Sequence, residues 1–426
     1  MEQAVKPGVA ELYQPKLWTV WNEGYRLRDL RADVMAGLTV AIVALPLSMA
    51  IAIASGVSPD RGLYTAIVGG FLVSALGGSR FQIGGPAGAF IVLVSATVAK
   101  FGVDGLLLAV LLSGVMLTAI GLLRLGGLIR RIPQAVVVGF TAGIAVTIFA
   151  SQLKDLFGLT VAGHEPAETL PKLLALARAA PSASPGAVGL SLAVILGILA
   201  LRRWRPAWPG LLIAVAGASL AAVLLHLPVE TIGTRFGGIA AGLPAPHLPP
   251  ISWAKVAAVL PAALSFTLLG GIESLLSAVV ADGMSGRRHR PNAELVAQGI
   301  ANVGSALFGG ISVTGTIART ATNVRAGARG PVSGMLHAVF LLGFMVVAAP
   351  LASYIPLPAL AGVLALVAWN MLERGHIAQL LRSPAGGAVL LTTFGLTIVR
   401  DLSAGIVAGC VLTVLLTLVG RLRKPG

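Results

Sequence analysis

The sequence is poor in charged residues. Asp, Glu, Lys and Arg make up 11% of its 426 residues, whereas an average soluble domain has roughly 25%. Apolar residues make up 56%, and no polar stretch outside the apolar blocks is long enough to build a soluble domain. The shortage of charge therefore excludes a soluble enzyme and indicates a protein that crosses a membrane several times.

Cysteine and histidine are scarce as well. The single cysteine, Cys410, lies inside the last apolar run, and the six histidines are scattered without the spacing of metal ligands. These absences exclude a disulfide framework and argue against a metal site. The glycines at 84–88 form no phosphate loop, because no Gly-Lys-Ser/Thr follows them. We therefore expect no catalytic residues and no cofactor.

Fourteen apolar segments, some of them short, can be read along the chain. They lie at 34–54, 62–78, 82–98, 105–123, 134–152, 187–201, 207–226, 256–280, 292–309, 311–323, 332–350, 357–372, 385–399 and 402–420.

The basic residues fix the predicted orientation. With the N-terminus in the cytoplasm, 22 of the 31 Lys and Arg fall on the cytoplasmic side, eight fall outside and Arg319 lies within a segment. Cytoplasmic loops of membrane proteins carry such an excess. The net charge of +15 therefore reflects membrane orientation and does not indicate a nucleic-acid partner.

Seven segments precede the connection at 227–255 and seven follow it. An odd number per half gives the two halves opposite orientations, which is an inverted repeat. We predict a cytoplasmic segment at 1–33, a first repeat at 34–226, a second repeat at 256–420 and a cytoplasmic tail at 421–426.

The third segment of each half is interrupted by glycine or proline. Residues 81–90 read FQIGGPAGAF, and residues 309–320 read GGISVTGTIART. Broken backbone at membrane depth is tolerated only where it is buried in protein or lines a cavity. Corresponding breaks in two halves point to a transporter's binding site. We predict that each break leads into a half-helix and that the substrate lies between Gly85, Pro86, Ala87, Gly88, Thr314, Gly315, Thr316 and Ala318.

The tenth segment also carries Arg319. A charged side chain inside a membrane segment costs ~2.5–3.5 kcal/mol on insertion scales, so it needs a partner or water. Arg319 lies one turn beyond Gly315, near a half-helix N-terminus that itself attracts anions. We expect an anion site that includes nearby hydroxyls; these belong to Ser312, Thr314, Thr316 and Thr320. The alternative is an interfacial anchor that reaches the cytoplasmic surface.

The eighth segment carries the acid Glu273. Glu273 and Ser277 are four residues apart and share one helix face. Because a carboxylate in mid-membrane is functional by default, we expect Glu273 to carry the coupling ion. That ion is a proton, or a sodium ion bound together with Ser277 and backbone carbonyls. A structural salt bridge to Arg319 is the alternative.

The first segment contains Pro46, which kinks a helix and frees a backbone carbonyl. We predict that Leu47 and Ser48, the next two residues, line the substrate site. A plain kink without a substrate contact is the alternative.

Together these motifs resemble the membrane domain of the sulfate permease (SulP) anion transporters, the family that includes prestin. The resemblance covers nearly the whole chain and is strongest at 270–370. It is carried by LPLSMA at 45–50, GPAG at 85–88, the 273–282 and 314–327 stretches, and LVAWNM at 366–371. It implies an all-α fold with a seven-plus-seven inverted repeat of the uracil-permease type, divided into core and gate domains. The substrate would lie between the third and tenth segments, flanked by the first and eighth.

The resemblance also implies roles for single residues. Arg319 matches the arginine near the anion in prestin-like members. Glu273 matches a sodium-ligating aspartate of cyanobacterial bicarbonate members, and Ser277 matches a neighbouring ligand threonine. Ala87 stands where those members have a threonine, which argues against sodium. GIESLLS at 271–277 and IART at 317–320 are more similar to the bacterial dicarboxylate–proton branch.

We therefore expect a secondary transporter in a bacterial inner membrane with both termini in the cytoplasm. The favoured activity is proton-coupled symport of a dicarboxylate such as fumarate by alternating access. The alternatives are sodium-coupled bicarbonate or sulfate uptake and an uncoupled anion channel. The expected partners are the anion, protons or sodium, and lipid; a homodimer stays open. Family members usually continue into a cytoplasmic STAS domain, and we expect that the sequence lacks it through truncation.

Overall fold

The helices follow the predicted segments. A computed structural model describes residues 12–129, 133–161, 169–206, 208–400 and 402–422. Its helices are α1 (Lys16–Asn22), α2 (Leu27–Ala54), α3 (Pro59–Tyr64), α4 (Gly70–Leu76), α5 (Ile91–Leu122), α6 (Gly126–Ile129), α7 (Gln134–Phe157), α8 (Thr169–Ala179), α9 (Pro185–Trp204), α10 (Gly210–Leu224), α11 (Ile232–Phe236), α12 (Trp253–Ser285), α13 (Pro291–Leu307), α14 (Ile317–Arg325), α15 (Val332–Ala352), α16 (Leu357–Met371), α17 (Arg374–Leu381), α18 (Pro384–Val399) and α19 (Leu402–Leu422). The shorter elements are a π-helical turn (Thr65–Gly69), strands β1 (Gly84–Gly85) and β2 (Thr314–Gly315), and 3₁₀ turns at Gly88–Phe90 and Ala180–Ser182.

Each predicted segment has a helical counterpart, with two differences in its limits. Helix α2 begins at Leu27, so its first turns lie inside the predicted 1–33 segment. The 227–255 connection contains α11 and the start of α12. The third and fourth segments share the label α5, but the helix is interrupted between them at Gly102 (φ 70°, ψ −176°), a conformation that favours glycine. Residues 1–11 and 423–426 of the predicted N-terminal segment and tail lie outside the described residues.

Hydropathy places these helices in a membrane. Among the described residues, seven helical stretches are long and apolar enough to span one, and three shorter apolar helices accompany them, at 210–224, 384–399 and 404–418. A span needs about 20 apolar residues, fewer if the segment is broken or partly buried in protein. The predicted polytopic membrane architecture is therefore confirmed.

The helices pack in two groups, and each group draws on both halves of the chain. The first group contains α2 to α5 and α12 to α15, in which α5 packs on α12 and α13, and α2 packs on α15. The second contains α7, α9, α10, α16, α18 and α19, in which α7 packs on α16 and α18. The first group corresponds to segments 1–4 and 8–11, and the second to segments 5–7 and 12–14. This division matches the predicted core and gate.

A short strand pair joins the two halves at the centre of the core group. Strands β1 and β2 are antiparallel, with Gly84 opposite Gly315 and Gly85 opposite Thr314. A Cβ on Gly85 would overlap the Arg319 guanidinium. A side chain on Gly85 would therefore have to move the guanidinium. Helical structure starts at Gly88 after β1 and at Ile317 after β2, as predicted.

Candidate anion site

Arg319 lies in the first turn of α14 and is 2% exposed. Its Nη2 donates hydrogen bonds to Ser48 Oγ at 3.0 Å and to the carbonyl oxygen of Pro86 at 3.4 Å. Ser48 follows the helix-interior Pro46 of α2, and Pro86 follows β1. The guanidinium therefore joins the first, third and tenth segments at one point.

The rest of this guanidinium has no hydrogen-bond partner among the described residues. Among the described residues, Arg319 Nε and Nη1 are buried and make no hydrogen bond, and no acid forms an ion pair with Arg319. The sequence alternative of an interfacial anchor is wrong, because such an anchor would reach the surface. The alternative of a salt bridge to Glu273 is also wrong for the described chain. A buried cation of this kind needs an anion to offset its desolvation.

Two helix starts add further donors beside it. Ala87 and Thr316 are extended N-cap residues, with φ −118° and ψ 145°, and φ −102° and ψ 116°, respectively. The N–H groups of a helix's first turn have no intrahelical acceptor and attract anions. Because antiparallel strands leave their pair in opposite directions, both helices direct their N-termini back toward it. Ala318 is exposed, and Ala87 and Gly88 are half-buried, so the donors can be reached from solvent.

Two of the hydroxyls that were predicted to bind the anion instead form hydrogen bonds within the protein, at β2 and just before it. Thr314 Oγ1 lies 2.8 Å from Ser274 Oγ, and Ser274 Oγ also accepts from the Gly315 N–H at 3.3 Å. Ser312 Oγ donates to Asn302 Oδ1 at 3.2 Å. Each of these hydroxyls is buried and forms a hydrogen bond within the protein. Their expected role as anion ligands stays a prediction.

The other two hydroxyls bridge the strands. Thr316 Oγ1 donates to the Ile83 carbonyl oxygen at 3.2 Å, and Thr320 Oγ1 accepts from the Ile83 N–H at 3.1 Å. Ser277 Oγ donates to Thr320 Oγ1 at 3.0 Å. Ser277 therefore supports the start of α14. Among the described residues it makes no hydrogen bond with Glu273.

Leu47 and Ser48 behave differently although they are neighbours. Ser48 bonds to Arg319, whereas Leu47 is buried in the main apolar cluster. That Leu47 lines the site stays a prediction. Its role in the structure is packing.

Glu273 lies on α12, beside the strand pair. It is half-buried and makes no hydrogen bond or ion pair with any described residue. Its neighbour Ser274 reaches β2, so α12 passes close to the anion site at this level.

The site also lies against the gate. A Cβ on Gly88 would lie 3.4 Å from Ile148 Cδ1, 3.7 Å from Met371 Sδ and 3.9 Å from Val367 Cγ1. Ile148 belongs to α7, and the other two belong to α16. On the core side, the Phe90 and Phe266 rings stack with centroids 5.9 Å apart and hold the 3₁₀ turn against α12.

A buried polar face of α13 supports the strand pair and was missed in the sequence. Glu294 Oε1 accepts from Gln82 Nε2 at 2.7 Å, and Oε2 accepts from the Ser79 N–H at 2.9 Å. Further along α13, Gln298 Nε2 donates to the Val313 carbonyl oxygen at 2.7 Å. Polar residues at 294, 298, 302 and 305 recur at helical spacing, and this pattern could have identified the face.

The family model described as the sulfate permease family matches residues 30–393. The chain belongs to the sulfate permease family. YvdB of Bacillus subtilis (strain 168), assigned by its name to sulfate transport, is 42% identical to this permease over 393 residues, which are 92% of this chain and 74% of YvdB. The bicarbonate transporter BicA of Picosynechococcus sp. is 31% identical, over 92% of this chain and 70% of BicA.

A solved structure agrees with both the family and the fold. The transmembrane domain of a cyanobacterial bicarbonate transporter BicA matches this permease with a TM-score of 0.80 and 32% identity, over 89% of this chain and 98% of that domain. The permease therefore has the predicted seven-plus-seven inverted-repeat fold. It is a multi-pass membrane transporter of anions and not an enzyme.

Proposed function

We propose that this sulfate permease family member takes up sulfate together with protons, with bicarbonate as the second candidate substrate. The observation that carries the proposal is the buried Arg319 guanidinium, which has two nitrogens without a partner among the described residues and lies beside two helix starts. Such an arrangement provides charge and directed donors without a protein acid to neutralise them.

The charge of the site favours a doubly charged anion. Arg319 contributes one positive charge, and each helix N-terminus contributes about half a charge. The resulting sum of about two matches sulfate, whereas a singly charged bicarbonate would leave the site positive. The named relatives transport, or are named for transporting, sulfate and bicarbonate. They favour these inorganic anions over the dicarboxylate that the sequence motifs indicate.

Glu273 supports coupling to protons. An ionised Glu273 would add negative charge near an occupied anion site, and a proton on its carboxyl group would remove that repulsion. A hard cation such as sodium instead needs several free oxygen ligands. The hydroxyls of Ser274, Ser277 and Thr314 already bond to one another or to the strand pair and its helix. We therefore favour a proton over sodium.

We extend the proposal to the cellular setting. The excess of basic residues in alternate loops supports cytoplasmic termini, and the bacterial relatives support an inner-membrane location. Movement of the core group against the gate group would expose the site to each side in turn.

Uptake into proteoliposomes tests substrate and coupling together. Labelled sulfate, bicarbonate and fumarate are compared under an imposed proton gradient, a sodium gradient and no gradient. We expect saturable sulfate accumulation that requires the proton gradient and is unaffected by sodium at constant pH. Preference for fumarate would contradict the substrate, accumulation driven by sodium would contradict the coupling ion, and flux that only dissipates gradients would indicate a channel.

A further inference from the structure

Three apolar side chains of the gate group close one side of the anion site. A Cβ on Gly88 would lie 3.4 Å from Ile148 Cδ1, 3.7 Å from Met371 Sδ and 3.9 Å from Val367 Cγ1, which are ordinary van der Waals distances. Ile148 is on α7, whereas Val367 and Met371 lie four residues apart on one face of α16. We call Ile148, Val367 and Met371 the gate wall.

The gate wall lies close to the donors of the anion site. The carbonyl oxygen of Pro86 accepts a hydrogen bond from Arg319 Nη2, and Pro86 precedes Gly88 by two residues. Two residues of extended chain span at most about 7 Å, so the Cα atoms of Pro86 and Gly88 lie within that distance of each other. Ala87, between them, is the N-cap of the first helix start. An anion held by these donors therefore has the gate wall as its neighbour on the side of Gly88.

Helix α7 offers no spare donor at the gate wall. The hydroxyl of Thr147 donates to the Gly143 carbonyl oxygen at 3.0 Å, and the hydroxyl of Ser151 donates to the Ile148 carbonyl oxygen at 2.7 Å. Gln152 Nε2 donates to that same carbonyl oxygen at 3.4 Å and to Ser151 Oγ at 2.7 Å. The polar side chains next to Ile148 therefore already bond within the protein.

Helix α16 is apolar on the side that meets Gly88. Every side chain at 357–368 is apolar. Trp369 and Asn370 are exposed, and adjacent residues on a helix do not share a face, so neither lies on the face of Met371. The Arg374 guanidinium lies 4.1 Å from the centre of the Trp369 ring. The gate wall is therefore an apolar boundary beside a site that holds charge.

This boundary has different consequences for compact and extended anions. Sulfate carries both charges on one group, which Arg319 and the two helix starts can hold entirely within the core group. Fumarate carries its charges on carboxylates at opposite ends of its carbon chain, so one carboxylate must project beyond these donors. Ala318 is exposed, so that carboxylate can stay hydrated while the site is open on the α14 side. It loses this hydration, without a compensating hydrogen bond, when the core group moves along the gate wall.

We propose that the gate wall selects compact oxyanions during translocation by rejecting anions that carry a second, separate charged group. Hydrophobic constrictions exclude ions in channels for the same physical reason. The inference rests on the proposed sulfate transport and deepens it, because it names the class of anion that passes and the residues that reject others. A charged group buried without its hydrogen bonds should slow fumarate translocation roughly tenfold to over a hundredfold relative to sulfate.

Counterflow in proteoliposomes separates translocation from coupling. Vesicles loaded with unlabelled sulfate or fumarate receive the same anion in labelled form, at equal pH on both sides and without sodium. Met371 is half-buried, so Met371→Ala leaves room for water and for a second carboxylate at the gate wall. We expect fumarate exchange to rise about tenfold or more, while sulfate exchange stays close to the wild-type rate.

Two further variants complete the test. Met371→Leu is the matched control, because it keeps an apolar side chain of similar volume; it should retain the wild-type preference for sulfate. Val367→Ala opens the gate wall one helical turn earlier and should shift the preference in the same direction as Met371→Ala. It provides the measurement if Met371→Ala does not fold.

Two results would overturn this selection without affecting the proposed function. One is a wild-type ratio of fumarate to sulfate exchange in both alanine variants, and the other is an equal loss of sulfate and fumarate exchange in both. Faster exchange of fumarate than of sulfate by the wild type would overturn the sulfate proposal and this inference together.

Discussion

Replacement of Arg319 by alanine removes a buried charge while leaving the N–H donors of both helix starts in place. Sulfate binding should therefore weaken without vanishing. A hydrogen bond to a charged group contributes about 1.5–3 kcal/mol, and each 1.4 kcal/mol is about tenfold in affinity. Loss of one such bond from the unpartnered Nε or Nη1 predicts a Kd increase of roughly tenfold to somewhat over a hundredfold.

The same substitution should affect stability in the opposite direction. Without an anion, Arg319 is a buried cation that has hydrogen bonds only to Ser48 and Pro86 among the described residues. An unpaired buried charge destabilises a fold by roughly several kcal/mol even after relaxation. The anion-free variant should therefore unfold at the same temperature as the wild type or at a higher one. A purely structural arginine predicts a lower unfolding temperature and an unchanged Kd.

Calorimetry with sulfate and thermal unfolding in nanodiscs measure both quantities on one sample. Arg325→Ala is the matched control, because Arg325 is an exposed charge at the end of the same helix and should leave the Kd unchanged. Arg319→Lys should recover part of the affinity, since it keeps the charge and loses the planar fork. An unchanged sulfate Kd in purified Arg319→Ala would remove Arg319 from the site.

Two further substitutions test the neighbouring residues. Glu273→Gln should abolish proton-driven sulfate accumulation and preserve sulfate counterflow. The control Glu373→Gln, at a half-exposed acid, should preserve both. Proton-driven accumulation by Glu273→Gln would exclude Glu273 as the proton carrier. Gly85→Ala should displace the Arg319 guanidinium and weaken sulfate binding, though by less than Arg319→Ala does because the charge remains. Gly343→Ala, which has open space around it, should not weaken binding. A wild-type Kd in Gly85→Ala would contradict this packing argument.

The membrane segments and their two breaks could be predicted because their causes are local. Apolar runs mark spans, and Gly85 and Gly315 mark the places where the backbone leaves the helix. The antiparallel pairing follows from opposite repeat orientations. The interruption of α5 at Gly102 likewise falls between the predicted third and fourth segments.

The hydrogen-bond partners inside the site could not be predicted in the same way. Thr316 and Thr320 occur beside an anion site in sequence, but both bond to Ile83, more than 230 residues earlier. Glu294 likewise bonds to Gln82 across the repeats. Helical spacing identifies a polar face, whereas its partners depend on packing between distant segments, which a single sequence does not record.

The pairing of β1 with β2 has a consequence for energetics. The strand pair connects the helix starts of the two repeats. The hydrogen bonds of Thr316 and Thr320 with Ile83 strengthen that connection. If the pair travels as one rigid unit, the anion meets the same donors whichever compartment it entered from. Its intrinsic affinity would then be nearly symmetric across the membrane. The direction of net flux is set by the combined gradients of the anion and the coupling ion, and reversing them should drive export through the same molecule.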